Sequence, residues 1–306
     1  MYSKAALIPP DITPSVGLPS VEGAGQWHAH LDLRFRQTAR GCRLMHKAHR
    51  GPLYVQRPFY PEGLALAHVY LLHPPGGLVS GDRLQVDIRL ENAAQVLCTT
   101  PGASRVYRAR PDRQPQVQIN QLTVDAGSTL EWFPQENIIF RDANAVLRTQ
   151  VDLAGDAKFC GWEITSLGLP ANGIRFDIGQ LRQRLQINRG GRPALIEQLQ
   201  LTDEYASQRL FHGRAGLHRQ PVCGVFTCGP WATEGPANID DTALDKLQSC
   251  IATPSTAGVT RVGEFIVGRY LGQCTAQARE LFIGWWRILR PLLLQRAAVL
   301  PAIWAT

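Results

Sequence analysis

Short stretches of alternating apolar and polar residues constrain the fold of this chain most, because they recur roughly every ten residues from Trp27 onwards. In Leu84–Leu90, for example, four aliphatic residues alternate with Gln, Asp and Arg, the period of a strand with one buried face. Gly, Pro, Asn and Asp separate these stretches and are typical of tight turns. The pattern therefore predicts a mainly β fold built from many short strands.

The predicted strands share this alternation and end at Gly, Pro or Asn/Asp punctuation. In chain order they are Ala29–Arg36, Gly41–Lys47, Leu53–Gln56, Leu64–Leu72, Leu84–Leu90, Ala94–Thr99, Gln116–Asp125, Thr129–Phe133, Val146–Leu153, Phe159–Leu167, Ile174–Ile178, Leu181–Asn188, Ala194–Leu201, Gly224–Thr227 and Val262–Tyr270. Within Gln116–Asp125 the apolar phase changes between Ile119 and Leu122, which predicts a β-bulge.

Helical patterns are few and come late in the chain. Thr242–Ile251 predicts a short helix, with Asp240 or Asp241 near its N-cap. Thr275–Arg290 is a stronger pattern, since its apolar residues fall on one face at steps of three and four. Pro291 is expected to end or kink that helix, because proline lacks the backbone donor.

Strands followed by two helices, rather than strands alternating with helices, favour a mainly β chain over a βαβ one. We see no internal repeat and no convincing linker after residue 26, so residues 27–306 are predicted to form a single domain. Residues 1–26 are rich in Pro, Gly and Ser and lack periodicity, so they are expected to form a flexible arm.

Composition narrows the function classes. The net charge is +7, and of the 32 basic residues only 4 are lysine. Arginine suits an acidic protein partner or a nucleic acid, but a compositional bias towards arginine on a solvated surface explains the charge as well. The basic residues are scattered, which argues against nucleic acid. The most apolar segment, Leu292–Trp304, is interrupted by polar residues and is too short to span a membrane. Seven cysteines, an odd number without a disulfide framework, favour the reducing cytoplasm.

Four local patterns resemble catalytic or metal motifs, and each has a plainer explanation. The GGLVSGD loop lacks the lysine and helix start of a P-loop, so a structural turn is favoured. Ser104 lies in PGASR rather than in GxSxG, which argues against a serine hydrolase. His28 and His30 share a strand face and could bind a metal with a third ligand, or could simply be solvated. Cys223 and Cys228 are spaced too widely for a CxxC knuckle, so buried thiols are favoured over a metal contact.

Five acidic residues next to apolar or aromatic neighbours form the remaining candidate site. They are Asp82, Glu131, Glu136, Glu163 and Glu197. Partly buried acids in a β framework could act as a general acid and base, as in an all-β hydrolase with paired carboxylates. They could also line a passage for a divalent cation, or be structural acids paired with arginine. The pattern alone leaves these three alternatives open.

Six motifs in order make a more specific signal than any of them alone. They are HPPGGLVSGDRL, TTPGASRVYR, EWFPQENIIFRDA, GWEITSLGLPANG, VGRYLG and the terminal PAIWAT. In this series, from Trp27 to Thr306, the chain resembles the urease accessory protein D family, called H in some organisms.

The resemblance implies a urease maturation factor rather than an enzyme. It implies many β-strands in stacked, helically arranged sheets with two α-helices in the C-terminal part, and a cytoplasmic location. The implied role is a non-catalytic scaffold or chaperone subunit that bridges apo-urease to accessory protein F and to the GTPase accessory protein G. The implied assembly is a dimer of such heteromers. No tightly bound cofactor is implied, only nickel in transit to the urease active site, and neither nucleic acid nor membrane as a partner.

The resemblance also implies roles for individual residues. Asp82, Ser104, Glu163 and Glu197 correspond to residues expected to line a conduit for nickel, Glu197 by spacing more than by motif. Oxygen ligands suit passage, because they hold a divalent ion more weakly than imidazole or thiolate does. From the residues themselves, Trp285, Trp286, Ile303 and Trp304 are expected either to face a partner or to cover the β core. A structural interaction module without a metal path is a further alternative.

Overall fold

The computed structural model describes residues 27–202, 209–232, 239–252 and 256–305. The predicted arm at residues 1–26 lies outside the described residues. The chain begins with three strands, β1 (His28–Thr38), β2 (Gly41–Arg50) and β3 (Tyr54–Val55). The predicted mainly β fold is confirmed by the strands that follow.

The centre of the fold is a stack of four coils, each with a strand, a short turn-flanked strand and a long strand. The first coil is β4 (Leu66–Leu72), β5 (Gly77–Leu78) and β6 (Arg83–Glu91), and the second is β7 (Gln95–Thr99), β8 (Ser104–Val106) and β9 (Gln116–Val124). The third is β10 (Thr129–Phe133), β11 (Asn137–Ile139) and β12 (Asn144–Leu153), and the fourth is β13 (Lys158–Leu169), β14 (Ile174–Arg175) and β15 (Gln180–Arg189).

The first strands of successive coils pair in parallel, and so do the long strands, which builds two long sheets. Among the short strands, β5, β8 and β11 pair in parallel, whereas β14 pairs antiparallel with β13. The first sheet has the order β2-β1-β6-β9-β12-β15, ending in β16 (Arg192–Leu201), and only its two edge strands run antiparallel to their neighbours. The second sheet has the order β3-β4-β7-β10-β13 and continues through antiparallel strands β17 (Val222–Gly229), β19 (Phe265–Gly272) and β18 (Thr256–Val262). The stacked, helical arrangement of strands is therefore observed.

The space between the two sheets, which we call the inner layer, is filled mainly by aliphatic side chains. Alternate residues of each strand point into it, as the period of two requires. Leu31 and Leu33 of β1 and Val86 and Ile88 of β6 are almost completely buried there. Aliphatic side chains that branch at Cβ or at Cγ pack well on a pleated surface, which explains why they recur along every coil.

The other face of the second sheet carries two helices, α1 (Asp241–Ser249) and α2 (Thr275–Leu294), and the space between them and the sheet is the outer layer. Asp240 caps α1, since its carboxylate accepts from the Ala243 amide at 2.9 Å, as the sequence predicts. The outer layer is rich in aromatic rings. Gly268 lets the ring of Trp285 lie directly on the sheet, because a Cβ there would stand 2.1 Å from the ring.

Two local expectations are wrong. β9 keeps an unbroken register with both β6 and β12, so it contains no bulge. The change of phase instead turns Gln118 and Asn120 towards the interior, while Leu122 and Val124 continue the same face. Of the two expectations for Pro291, an end or a kink, the end is wrong, since the second helix extends to Leu294 and Leu293 still packs into the outer layer.

The expectation that the tryptophans of α2 face a partner is also wrong. Trp285 and Trp286 are completely buried against the second sheet, so the alternative that this helix covers the β core holds for them. Ile303 and Trp304 lie in the C-terminal segment and are half-buried. Trp304 packs against the same layer and donates through its indole Nε1 to the Thr99 hydroxyl at 2.8 Å.

Candidate functional site

Two cavities open into the inner layer, at different places along the coils. The first, which we call the loop cavity, measures about 370 Å³ and lies beneath the turn before β8; its polar lining includes Ser104, Gln118 and Asn120. The second, the edge cavity, measures about 600 Å³ and lies where β16 and the β18–β19 hairpin approach each other without pairing. Glu163 and Glu197 both line the edge cavity.

A chain of polar side chains runs through the inner layer from one cavity to the other. Asn120, on the loop cavity, donates to the Thr149 hydroxyl at 3.0 Å. Thr149 is buried and hydrogen-bonds to Glu163, whose Oε2 also accepts from the Gln183 amide at 2.9 Å. Gln183 in turn accepts from Thr165 at 2.9 Å, and Glu163, Gln183 and Thr165 all line the edge cavity.

The pairing register between strands of successive coils brings the residues of the polar chain together. Asn120 of β9 pairs directly with Thr149 of β12, so two inward-facing polar residues meet on adjacent strands of the first sheet. Glu163 and Thr165 lie on β13 of the second sheet, on the same face because they are two residues apart. Polar residues from both sheets therefore converge in a layer that is otherwise aliphatic.

Two buried polar atoms at the loop cavity have no hydrogen-bond partner among the described residues. They are the Oδ1 atom of Asn120 and the indole Nε1 of Trp132, whose side chains both line the cavity. A buried donor or acceptor without a partner costs free energy unless water or a ligand satisfies it. The loop cavity thus offers one acceptor and one donor to a polar occupant.

Glu163 is the one carboxyl in this polar chain, and no cationic side chain from the described ranges contacts it. Burial raises the pKa of Glu163, and the hydrogen bonds from Thr149 and Gln183 only partly oppose that effect. A carboxyl held by neutral partners in an apolar layer favours the arrival of a positive charge, because a cation would compensate the cost of its ionisation.

The other predicted conduit residues occupy different environments. Ser104 donates to Gln118 over 3.4 Å at the loop cavity. Glu197, at the edge cavity, forms an ion pair with Arg269, whose Nε lies 3.3 Å from Glu197 Oε2. Asp82 is buried at a turn and accepts hydrogen bonds from the backbone amides of Trp27 and Val79, each at 2.9 Å. Asp82 lines neither cavity, so the structure brings together Glu163 and Glu197 and leaves Asp82 apart.

A second group of buried charges lies in the outer layer. Arg290 of α2 is completely buried and binds Glu131 and Glu62 through its guanidinium group, with N–O distances of 2.7–3.2 Å. Trp286 donates to Glu131 at 2.7 Å, and His68 is hydrogen-bonded to Glu62 at 2.8 Å. Burial would raise the pKa of Glu62, but the hydrogen bonds with His68 and Arg290 outweigh it and lower that pKa to about 2.

The remaining metal candidates stay apart. His28 and His30 are exposed on β1, and His30 is bonded to Asp87 at 2.5 Å. Cys223 and Cys228 are an odd number of residues apart on β17, so they point to opposite faces and cannot share a metal. In the described ranges, no group of three or more His, Cys, Asp or Glu residues is arranged to hold a metal ion.

Sequence reasoning missed the neutral members of the polar chain, namely Gln118, Asn120, Thr149 and Gln183. One signal was available, because the change of apolar phase in β9 places Gln118 and Asn120 on the inward face. Thr149 and Gln183 gave no comparable signal, since isolated polar residues in a strand are ordinary on a solvated face.

Comparison with known proteins identifies the lineage of this fold. The model of the UreD urease accessory protein family matches residues 28–305. The chain belongs to the UreD urease accessory protein family. A urease accessory protein UreD from Marinomonas sp. (strain MWYL1) is 45% identical over 308 residues, covering 100% of this chain and 96% of the relative.

Two further members of the UreD family show the same extent of similarity. Urease accessory protein UreD 2 from Brucella anthropi is 39% identical, covering 92% of this chain and 98% of the relative. Urease accessory protein UreD from Alcanivorax borkumensis is also 39% identical, covering 92% of each chain. Membership of the UreD family gives this chain an accessory role in urease maturation, which implies contact with urease and other accessory proteins. No helix in the described part of the chain has both the length and the hydropathy to span a bilayer.

Proposed function

We propose that the inner layer of this protein conducts nickel during urease maturation, between the loop cavity and the edge cavity. The observation that carries the proposal is the polar chain Asn120–Thr149–Glu163–Gln183, which joins two cavities through an otherwise aliphatic layer. The protein would act as a non-catalytic scaffold in the cytoplasm, bridging apo-urease to accessory proteins F and G, within a dimer of heteromers.

The donor set suits transit rather than storage. Every side chain of the polar chain except that of Glu163 is a neutral hydroxyl or amide. Such groups replace water around an ion without holding it tightly. Glu163 supplies the single negative charge, and it lies at the edge cavity, where an ion could still exchange its water. Nickel is cargo in this scheme, and no residue of the path has to change its covalent chemistry.

Because the pKa of Glu163 is raised, a proton on this carboxyl also takes part in the proposed nickel transfer. A carboxyl that holds its proton more firmly than an ordinary glutamate releases that proton when a cation arrives. Burial therefore favours the neutral form of Glu163 in the empty path, and that form is compatible with the aliphatic surroundings. Ion entry and proton release are coupled at this one residue.

The alternative, an all-β hydrolase, has one observation in its favour. Glu163 and Glu197 line the same cavity, and one is held by neutral partners while the other is paired with Arg269. Two carboxyls in different environments are what acid–base hydrolysis requires. An accessory role in urease maturation does not call for such chemistry, and a hydrolase would show activity in the isolated protein.

The test uses Glu163→Gln and Thr149→Val, each produced with the urease subunits and the other accessory proteins. We expect the nickel content of purified urease to fall on the order of tenfold for each variant, because each variant removes one polar group that an ion would contact along the path. Pull-down should show the maturation complex intact. Glu280→Gln, the same chemical change at an exposed position of α2, is the matched control.

Urease that is fully loaded with nickel in the presence of both variants would refute the conduit and leave a scaffold without a metal path. A complex that no longer assembles would show that the residues act on structure, and Glu163→Asp would then separate charge from packing. Hydrolysis of a substrate by the isolated chain, lost in Glu163→Gln, would favour the enzyme.

A further inference from the structure

None of the described residues covers the outer face of the first sheet, although five of its seven strands run parallel. These are β1, β6, β9, β12 and β15, and the inner layer covers only their other face. Parallel sheets in proteins are normally covered on both faces. An uncovered face of this kind is therefore a place to look for a partner.

Two adjacent rows of residues on this face contain no carboxylate. The register places His28, Arg83, Val117, Val146, Arg182 and Gln200 side by side in one row. The next row is His30, Gln85, Ile119, Arg148, Arg184 and Gln198. We call these two rows the arginine band.

The four arginines of the band lack acidic partners within the described ranges. Arg182 and Arg184 donate only to the neighbouring amides of Gln180 and Gln186. Arg83 and Arg148 take part in no ion pair with a described carboxylate, and Arg148 is exposed. Arginines elsewhere on the same face are paired within the sheet, as Arg36 is with Glu91 at 2.8 Å.

The centre of the band is aliphatic. Val117, Ile119 and Val146 lie on the neighbouring strands β9 and β12, are half-buried, and are flanked by the arginines of β6, β12 and β15. An apolar centre within a ring of arginine is the composition that protein interfaces favour, because arginine contributes both contact area and bidentate hydrogen bonds.

The size of the face matches a stable interface. Seven strands at a spacing of about 4.8 Å, each with about nine residues at roughly 3.3 Å, give on the order of 850 Å². A specific protein complex of ordinary size buries about 800 Å² on each partner. The flat face is therefore large enough for one partner protein without help from the rest of the molecule.

We infer that the arginine band binds an acidic protein surface, one whose Asp and Glu side chains surround an apolar centre. A row of Asp and amide residues borders the band, including Asp32, Asp87 and Gln121, and it would repel the same carboxylates if the partner shifted by one row. The choice of urease apoprotein as the probe rests on the maturation role of the family. The inference does not depend on the nickel path.

The experiment measures binding of the purified full-length chain, in complex with its accessory partners, to purified urease apoprotein. The test variant is Arg148→Glu with Arg184→Glu, two changes in the centre of the band. The matched control is Arg34→Glu with Arg36→Glu, which lie on the same face outside the band and already contact Asp32 and Glu91. Both variants change the net charge equally.

The inference expects the band variant to weaken binding on the order of a hundredfold and the control variant by no more than about threefold. Affinity of the parent should fall steeply with added salt, and the band variant should lose that dependence. Folding is checked by an unchanged unfolding midpoint.

Equal binding by both variants would overturn the inference. So would a loss of binding to a DNA duplex with urease binding unaffected, because the band would then recognise a polyanion rather than a protein. An effect that disappears when residues 1–26 are deleted would assign the face to this chain's own N-terminal segment and would also overturn it.

Discussion

The inner and outer layers bury carboxyl groups to a similar depth and treat them in opposite ways. Glu131, in the outer layer, is bound by Arg290 and Trp286 and sits among close-packed aromatic rings. Glu163, in the inner layer, has only neutral partners and lies on a cavity. The first arrangement is complete in itself, whereas the second lacks a positive charge.

The difference shows how burial can distinguish a structural acid from a functional one. A carboxylate that is fully compensated by its own protein has nothing left to offer a ligand. A carboxyl whose surroundings supply hydrogen bonds but no charge keeps a free energy cost that an incoming cation can relieve. The comparison therefore supports a stabilising role for the outer layer and the proposed nickel transfer in the inner layer, and four changes test this contrast.

The largest effect is expected for Arg290→Met, which removes the guanidinium group that binds both Glu131 and Glu62. Trp286 and His68 would still hydrogen-bond to these two carboxylates, but both would lose their shared arginine, and breaking a buried pair in this way costs roughly 3–5 kcal/mol of unfolding free energy. Denaturant unfolding of the purified chain measures it. Arg287→Met, at an exposed position of the same helix, should change stability by less than about 0.5 kcal/mol. Equal losses in the two variants would contradict a structural role for the ion pair.

Gly268→Ala should destabilise the outer layer by roughly 1–3 kcal/mol, because the added methyl group has no room beneath Trp285. The matched control is Gly258→Ala on the neighbouring strand β18, where a Cβ would meet no atom within 4 Å. Thermal unfolding compares the two. A midpoint for Gly268→Ala equal to that of the control would mean that α2 can move away from the sheet without cost.

A pH-dependent effect of smaller size is expected for Glu163→Gln. Because burial raises the pKa of Glu163 in the folded chain, the native state holds this proton more firmly than the unfolded state does. The free energy of unfolding of the parent therefore decreases as the pH rises from 4.5, the ordinary pKa of a glutamate, through the raised pKa of Glu163. Glutamine has no such loss, so the variant should be the more stable protein at neutral pH.

Denaturant unfolding curves from pH 4 to pH 8 measure this difference. Such curves resolve differences in unfolding free energy of about 1 kcal/mol or more. The advantage of Glu163→Gln should grow with pH and vanish in acid. Glu280→Gln should show no such trend, because Glu280 is exposed. A variant less stable than the parent at neutral pH would place an unseen positive charge beside Glu163 and remove the contrast between the layers.

The smallest effect is expected for Trp304→Phe. The ring remains, but its hydrogen bond to the Thr99 hydroxyl is lost, at a cost of about 1 kcal/mol. Thr99 still donates to the Phe133 carbonyl at 2.6 Å, so no buried group is left without a partner. Hydrogen exchange of the C-terminal segment is the measurement. A cost as large as that of Arg290→Met would show that the C-terminal segment holds the outer layer together.

The sequence predicts the positions of the strands better than it predicts which side chains are in contact in the fold. Alternation along Leu84–Leu90 and the other stretches is a local property, and local patterns survive in the fold. The contact between Asn120 and Thr149 depends on the stacking of coils, and that between Glu131 and Arg290 on helix docking across 159 residues. Neither follows from spacing along the chain.

The errors have the same origin. The phase change in Gln116–Asp125 predicts a bulge if polar residues face water, whereas Gln118 and Asn120 face the inner layer. The expectation of a partner surface for Trp285 and Trp286 rests on their helix being more apolar than a helix on the outside of a β domain usually is. The second sheet supplies the missing apolar surface, and only the fold shows that it does.

The order of synthesis gives the outer layer one further consequence. Neighbouring strands of the coils lie only about 30 residues apart in the chain, so the stack can grow coil by coil as a solenoid does. The cover over Phe133 and Trp162 arrives much later, since Trp286 bonds to a residue 155 positions earlier. At about 5–20 residues per second, synthesis of these 155 residues takes roughly 8 to 31 seconds, during which the aromatic face of the growing stack has no helix over it. During that interval the nascent protein is at its most prone to associate with itself.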